Sequence, residues 1–370
     1  MSVPGEASAG GPLAGIKVVD FTIMIAGPYA TRLLADNGAQ VTKVEPPTGD
    51  PMRKRAPLRA GQSSYFGSLN AGKDGVALDL KSEVGVARAR DLVAQADVVV
   101  ENFRPGVMAK LGLGYDQCRE LNPRLIYCSI SGYGQEGPRA QLPAYAAILH
   151  ATSGYDLTTM RYLQAEEPPA TGIFIADVMA GQVSYAAVLT ALLGRERSGV
   201  GEHVDVSMYE IMLSTMVYEA QAAQYPAEAL GKTVYRPFRA GDEFVLISAV
   251  TDRNVRALMV AMGDPALLEE PRFTDMTLRE QHWEEWQARV EEWTRDQDAD
   301  ALEKLLLANG VPCARYRSIE EALRDPQLEV RHALREAVDD AGSYLFIGPP
   351  WTSNRWGPPS APTRVPPLGR

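Results

Sequence analysis

Cysteine and histidine are scarce in this chain: three of the first and four of the second among 370 residues. Cys118, Cys128 and Cys313 are odd in number and widely spaced. They form no disulfide framework, offer no metal-ligand spacing, and suit a reducing cytoplasm. No two histidines have the spacing of a zinc-binding HExxH helix, and no G-x-S-x-G turn presents a nucleophilic serine. His203 stands in a strand beside acidic residues, His282 and His332 in polar stretches, and His150 behind an apolar run, where it reads as core. Positive charge is short as well. A formal net charge of −10 argues against general affinity for nucleic acid or anionic membranes, while leaving room for a local basic pocket. No uninterrupted apolar run approaches the ~20 residues of a membrane span. Residues 1–12 are small, polar and Gly/Pro-rich, a loose tail rather than a signal peptide. Any catalysis then rests on a carboxylate, a tyrosine, a lone cysteine or backbone groups.

What is present is alternation. Short β-rich runs at Ile16–Phe21, Gln40–Glu45, Val76–Leu80, Asp97–Glu101 and Arg124–Ile130 are separated by helical patterns at Tyr29–Asn37, Glu83–Ala94, Pro105–Leu111 and Tyr115–Leu121. This order predicts an α/β fold, with an open, mostly parallel sheet and crossover helices. Ligands of such sheets lie beyond the carboxyl ends of the strands. From Pro138 to Thr171 the pattern becomes loop with one short helical piece, Ala144–Ala151. A long helix follows over Asp177–Leu193, then a strand at Glu202–Ser207 and a helix to about Tyr225. Gly and Pro cluster at Pro226–Gly241, and beyond them strand and helix signals indicate a smaller α+β unit. The expected boundaries are 1–12 for the tail, 13–225 for the large domain, 226–327 for the smaller one and 328–370 for the Pro-rich C-terminal segment.

Asp177 is the most informative residue. It sits in Thr171-Gly-Ile-Phe-Ile-Ala-Asp177-Val-Met-Ala-Gly181, where an apolar run meets a helix. Val178, Val183, Ala186, Val188, Leu189, Leu192 and Leu193 fit one face of that helix. Asp177 is therefore expected at or just before its N-terminus, where free N–H groups and the helix dipole stabilise a carboxylate. Gly132-Tyr-Gly134-Gln-Glu-Gly137 matches a dinucleotide fingerprint in letters only. Pro138 follows, no helix begins there, and the position is not after the first strand. It reads as a Gly-rich turn near a ligand. Arg53, Lys54, Arg55 and Arg59 form a basic loop that is either a phosphate contact or a solvated surface. Asn102-Phe-Arg-Pro-Gly106 leaves a strand and enters a helix at Pro105, a reasonable place for an anionic ligand.

Several ordered pieces carry a family resemblance: Leu13-Ala-Gly-Ile-Lys-Val-Val-Asp-Phe21, Ala26-Gly-Pro28, Gly38-Ala-Gln-Val-Thr-Lys-Val-Glu-Pro46, Leu78-Asp-Leu-Lys81 and Ala96-Asp-Val-Val-Val-Glu-Asn-Phe-Arg-Pro-Gly106. Asn122-Pro-Arg-Leu-Ile126, Ser131-Gly-Tyr-Gly-Gln-Glu-Gly-Pro138, Ala176-Asp177 and Gly199-Val-Gly-Glu-His-Val-Asp-Val-Ser-Met208 follow, with Gly310-Val-Pro-Cys313 and Asp325-Pro-Gln327 in the second unit. In order and spacing, from Leu13 to about Ile347, the chain resembles the family III CoA-transferases, a group that includes formyl-CoA transferase, carnitine CoA-transferase and α-methylacyl-CoA racemase. The resemblance implies a Rossmann-like CoA-binding domain to which the C-terminal segment returns, a smaller α+β domain, and two chains interlocked as a homodimer. It implies acyl-CoA and a carboxylic acid as substrates, no permanently bound cofactor and no metal. The family's nucleophilic aspartate matches Asp177. CoA-contacting positions fall on Ile25, Ala26, Leu78, Lys81, Asn102, Phe103, Arg104, Lys110, Ala144 and Tyr145.

Departures from the family pattern sharpen the expectation. Pro46 stands where an arginine often contacts CoA, and Asp74 where the Asn-x-x-Lys-Arg-Ser stretch has arginine. Phosphate binding then leans on Lys81, Arg104, Lys110 or the 53–59 cluster. No glycine-rich flap follows Met208, which speaks against oxalate or formate chemistry of the formyl-CoA transferase kind. Family racemases carry Gly-His-Asp where this chain has Pro143-Ala144-Tyr145, and Ala144 cannot move a proton. The expected activity is CoA transfer through an aspartyl-CoA thioester on Asp177, in the cytoplasm, with no nucleic acid or membrane partner. A racemase using Asp177 with His150 or Tyr145, and a non-catalytic acyl-CoA-binding homologue, are the alternatives. Loops at Tyr155–Glu167 and Val217–Phe238 are expected to shape the acceptor pocket.

Overall fold

The structure is a computed structural model and describes residues 10–225, 235–357 and 362–369. Most of the expected N-terminal tail, the centre of the Gly/Pro cluster and part of the Pro-rich segment therefore lie outside the described residues. The chain divides into two compact units, one comprising residues to Ala229 together with Pro326 onward, the other Leu230–Asp325.

In the first unit, β1 (Lys17–Asp20), β2 (Gln40–Glu45), β3 (Asp74–Ala77), β4 (Val98–Glu101), β5 (Ile126–Ser131) and β6 (His203–Ser207) form a six-stranded sheet. The order is β3-β2-β1-β4-β5-β6 and every pairing is parallel. Every residue of β4 and β5 is buried, as expected of central parallel strands covered on both faces. Val18, Val98, Val100, Ile126 and Cys128 face one core, with α1 (Ala26–Asp36). Val19, Val99 and Tyr127 face the other, with α2 (Glu83–Ala94). The strand order reverses at the β1/β4 boundary, which opens a crevice beyond their carboxyl ends, the usual ligand position in such sheets.

Helices α3 (Ala146–Thr152), α4 (Tyr155–Leu163), α5 (Ile175–Ser198) and α6 (Met208–Thr215) complete this unit's cover. A C-terminal sheet returns to it. β10 (Leu334–Asp339) pairs with β11 (Gly342–Ile347) antiparallel and with β12 (Thr363–Arg364) parallel. The Arg32 guanidinium of α1 donates to the Ile347 carbonyl at 3.0 Å, and Arg59 pairs with Asp339 at 2.8 Å. The second unit holds β7 (Pro237–Ala240), β8 (Glu243–Ile247) and β9 (Cys313–Arg315) in one antiparallel sheet. Its own core includes Phe238, Val245, Trp286 and Leu302.

Four local expectations are corrected. α5 begins two residues before Asp177, and its buried face is Ala176, Ala180, Gly181, Ser184, Val188, Ala191, Leu192 and Arg195. Val178, Val183 and Leu193 are exposed. The reason is the close approach of α1: a Cβ at Gly181 would lie 2.9 Å from the Ala26 carbonyl oxygen and 2.8 Å from the Tyr29 ring, so only small side chains fit between the helices. By length and composition α5 could cross a membrane; its small-residue face instead packs into the core. The stretch expected as loop at Tyr155–Glu167 carries α4, entered through Gly154 at φ 88°. The helix expected to reach Tyr225 breaks at Met216 into α6 and Val217–Ala222. The basic loop opens with a 3-10 turn at Pro51–Lys54, and an unpredicted helix follows it at Ser64–Asn70, capped by the Ser63 hydroxyl.

Candidate active site

The β1–α1 connection is held by the buried side chains of Asp20 and Lys43 and by half-buried Asn102. Asp20 ends β1, and its carboxylate accepts the Thr22 N–H at 2.9 Å. The Thr22 carbonyl accepts from the Lys43 ammonium at 2.9 Å. The Asn102 amide, one residue past β4, accepts the Ile23 N–H at 2.9 Å and donates to the Ile23 carbonyl at 2.8 Å. Asn102 thus ties the two loops on either side of the crevice. Met24 sits between these anchors at φ 67°, a left-handed conformation that costs a non-glycine residue on the order of 1–3 kcal/mol. Such strain persists where the surroundings over-determine the backbone.

Asp177 closes the ring. It lies in the first turn of α5, whose N-cap residue Phe174 supplies no side-chain cap. Its carboxylate is not the cap of its own helix; the N–H of Ala26, the first residue of α1, faces it and lowers its pKa. Ile25, the N-cap residue of α1, makes no side-chain cap either. The first turn of α5 is served by His150, whose Nε2 accepts the Ala176 N–H at 3.2 Å. His150 is buried, and burial pulls its pKa below the ordinary value, with Asp156 opposing. An acceptor Nε2 carries no proton, so His150 holds the helix end as a neutral ring.

Burial raises the Asp177 pKa to about 6, against the opposing Ala26 N–H. The group is anionic at neutral pH and poorly solvated, which suits a nucleophile. Tyr65 faces it from the Ser64–Asn70 helix; burial, and then the Asp177 charge, push the phenol's pKa up. The cysteines cannot compete as nucleophiles. Burial pushes Cys118 and Cys128 up to about 12 and Cys313 to about 11, so none is a thiolate near neutrality.

A cavity of about 370 Å³ lies at the crevice. Ala26, Asn102, Phe103, Arg104, Ala144, Tyr145 and Asp177 all line it, with Met24, Ser131, Gly132 and Met208. Seven of the eleven residues singled out from the sequence thus meet around one space. Ile25 instead lines a separate cavity of about 580 Å³ with Tyr65, Arg59 and Tyr344. Leu78 packs in the same apolar cluster as Phe103. Lys81 and Lys110 are exposed and lie outside the cavity wall. Arg53 is committed elsewhere, gripping the buried Glu45 carboxylate at 2.7 and 2.6 Å, and Arg59 is paired with Asp339. The 53–59 cluster is therefore only partly free for an anion. Among the described residues Lys81, Arg104 and Lys110 have no ion-pair partner. Gly132 and Ser131 bring the Gly-rich turn to the cavity, and no helix follows it.

Sequence reasoning missed Tyr65, Met24 and the anchoring of the loop. A Ser-Ser-Tyr-Phe start with Ser63 as cap was a readable helix signal for Tyr65. Left-handed strain at a methionine has no sequence signal.

The family model described as CoA-transferase family III matches residues 13–370. An "Acyl-CoA transferase" of Fusarium pseudograminearum is 34% identical, covering 97% of this chain and 84% of the relative. The "Acetyl-CoA:oxalate CoA-transferase" of Acetobacter aceti is 34% identical over 92% of this chain and 88% of its own. The crystal structure of Rv3272 from Mycobacterium tuberculosis superposes with a TM-score of 0.86 at 31% identity, covering 97% of each chain.

Proposed function

This chain belongs to CoA-transferase family III, and from that premise we propose that it moves CoA from an acyl-CoA donor to a carboxylic acid through a covalent intermediate on Asp177. The observation that carries the reading is the position of Asp177: a desolvated carboxylate in the wall of the crevice cavity, faced by the Ala26 N–H.

The Asp177 carboxylate attacks the donor thioester carbonyl, the C–S bond breaks, and a mixed anhydride and CoA thiolate form. The thiolate then attacks the Asp177 carbonyl, releasing the donor acid and leaving an aspartyl-CoA thioester. An acceptor carboxylate attacks that thioester, and the thiolate returns to the acceptor acyl carbon, freeing Asp177. Covalent catalysis splits one exchange into easier steps. Negative charge develops on an Asp177 oxygen whenever its carbonyl is attacked. The Ala26 N–H already points at that carboxylate, backed by the dipole of α1, and serves as an oxyanion donor. Arg104 at the cavity, with Lys81 in a neighbouring turn and Lys110 at the end of the Val107–Lys110 helix, takes the CoA phosphates. Phe103, packed in one cluster with Leu78, offers an apolar face at the cavity.

Transfer is favoured over racemisation by two features of the site. Ala144 in the cavity wall has no proton to move, and the His150 Nε2 is occupied by the Ala176 N–H. The working unit is proposed to be a homodimer. Val183, Ala186, Thr190 and Leu193 form an exposed stripe along α5 at helical spacing, a surface suited to a partner chain. A cytoplasmic location is in keeping with the three unpaired cysteines.

The test is hydroxylamine trapping with mass spectrometry of acyl-CoA-loaded protein. An Asp177 hydroxamate is expected in the wild type and absent in Asp177→Ala, which should also lose exchange. Wild-type exchange by that variant would refute the assignment.

A further inference from the structure

We propose that the buried Asp20–Lys73 pair is a positioning device for the reaction, holding the β1–α1 loop so that Ala26 stays beside Asp177 in the cavity wall. Both side chains are fully buried, with the ammonium 2.9 Å from the carboxylate. Neither lines the cavity, and neither touches Asp177. They are wired instead to the backbone between them and it. One Asp20 oxygen holds the Thr22 N–H and the other accepts the Thr31 hydroxyl at 2.7 Å. Lys73 donates to the Pro28 carbonyl at 2.9 Å, to Thr31 at 2.8 Å and to the Asn70 amide oxygen at 2.7 Å. The pair thus pins the chain on both sides of Ile23–Gly27, the segment that contains the strained Met24 and the Ala26 donor.

The electrostatics agree with this geometry. Burial alone would raise the Asp20 pKa, but Lys73 and then Lys43 overcome it and hold the carboxyl well below its usual range. Burial pulls the Lys73 pKa down, and Asp20 opposes that; Lys43 and Asp50 are the other charges that face it. A buried pair is weak evidence for stability, because its desolvation offsets its attraction. Holding a strained loop in one conformation is a use that desolvation does not cancel. Asn70 and Lys73 also belong to the Asn70-Ala-Gly-Lys-Asp stretch, in which the departure at Asp74 left this lysine in place.

The inference rests on Asp177 as the nucleophile, and its test separates the two. Lys73→Met and the double variant Asp20→Asn/Lys73→Met are compared with wild type for melting temperature and for the pH profile of kcat/KM in acyl-CoA exchange. Removing both charges avoids an uncompensated buried ion, so the double variant is expected to fold. Its kcat is expected to fall at least about tenfold, within the roughly hundredfold that an ångström of misplacement costs. Loss of the Ala26 donor raises the Asp177 pKa further, so the acid limb should move up by about half a unit or more. Tyr65 is the other titratable group facing Asp177; a Tyr65→Phe background should show the same movement. Thr31→Val, nearly isosteric, removes one contact to each member of the pair and should give a smaller shift of the same sign. It is the variant that decides if both Lys73 variants fail to fold. A wild-type acid limb and kcat in the folded double variant, or in Thr31→Val should that be the one that folds, would overturn the positioning role while leaving Asp177 as nucleophile. Undiminished exchange by Asp177→Ala would instead remove the premise.

Discussion

The Asp177 carboxylate of α5 faces the backbone N–H of Ala26, the first residue of α1. One side chain thereby brings the helix that carries the proposed nucleophile against the loop that lines the cavity. Structure and chemistry are linked at that contact, and substitutions can separate them.

Asp177→Asn keeps an acceptor for the Ala26 N–H and loses the anion. It should retain near-wild-type stability with no exchange activity. Asp177→Ala should lose activity and about 1 kcal/mol of stability as well, the usual scale for a missing cap. Urea denaturation beside an exchange assay checks both.

The Asp177 pKa is raised to about 6, mainly by burial. Below that pH the carboxyl is protonated and not nucleophilic. Exchange should therefore fall as pH drops through about 6, whereas an ordinary exposed aspartate would hold its activity to about 4. A kcat/KM profile between pH 4.5 and 8, flat to the acid end, would contradict the shift.

His150 is a neutral acceptor for the first turn of α5. His150→Ala should destabilise by about 1–3 kcal/mol, since a buried N–H is left without a partner. His150→Gln supplies an acceptor oxygen and should recover part of that loss. Neither variant, nor the wild type, should incorporate deuterium at the α-carbon of an acyl-CoA from heavy water. Wash-in abolished by either substitution would point to racemisation through His150.

Gly181 sets the α1–α5 distance. In Gly181→Ala the new methyl meets the Ala26 carbonyl and the Tyr29 ring at under 3.0 Å. The helices must separate, at about 1–3 kcal/mol for overpacking. Because the shift moves Ala26 away from Asp177, kcat should drop more than KM rises.

Arg53 and Arg104 should behave differently although both are arginines in turn regions. Arg104→Ala should raise KM for acyl-CoA about tenfold, the scale of one lost charge-assisted bond, and weaken its salt dependence. Arg53→Ala leaves the Glu45 carboxylate unpartnered by a cation and should lower the melting temperature, with a smaller change in KM.

The alternation of β-rich and helical segments, together with Val-Val-Val in β4 and the long apolar stretch of α5, made the parallel sheet legible, because strand and helix periods are local properties. Asp177 was legible as the residue at a helix start. Its partner was not. Local reasoning assigned the carboxylate to its own helix, and only folding showed that His150 serves that helix while Asp177 faces the start of another. The buried face of α5 was misjudged for a related cause: hydrophobicity marked Val183 and Leu193, but close packing against α1 selected Gly181 and Ala180. Local pattern was enough for the strand–helix alternation of the parallel sheet and for the family, and it singled out Asp177 as the carboxylate to propose; it did not reveal the helices at Tyr155–Leu163 and Ser64–Asn70. Only the tertiary fold settled which N–H that carboxylate faces, which basic residues stay free for an anion, and how Asp20 and Lys73 pin the strained loop. Those are contacts between residues far apart in the chain, and their energies depend on burial and geometry that no local pattern encodes.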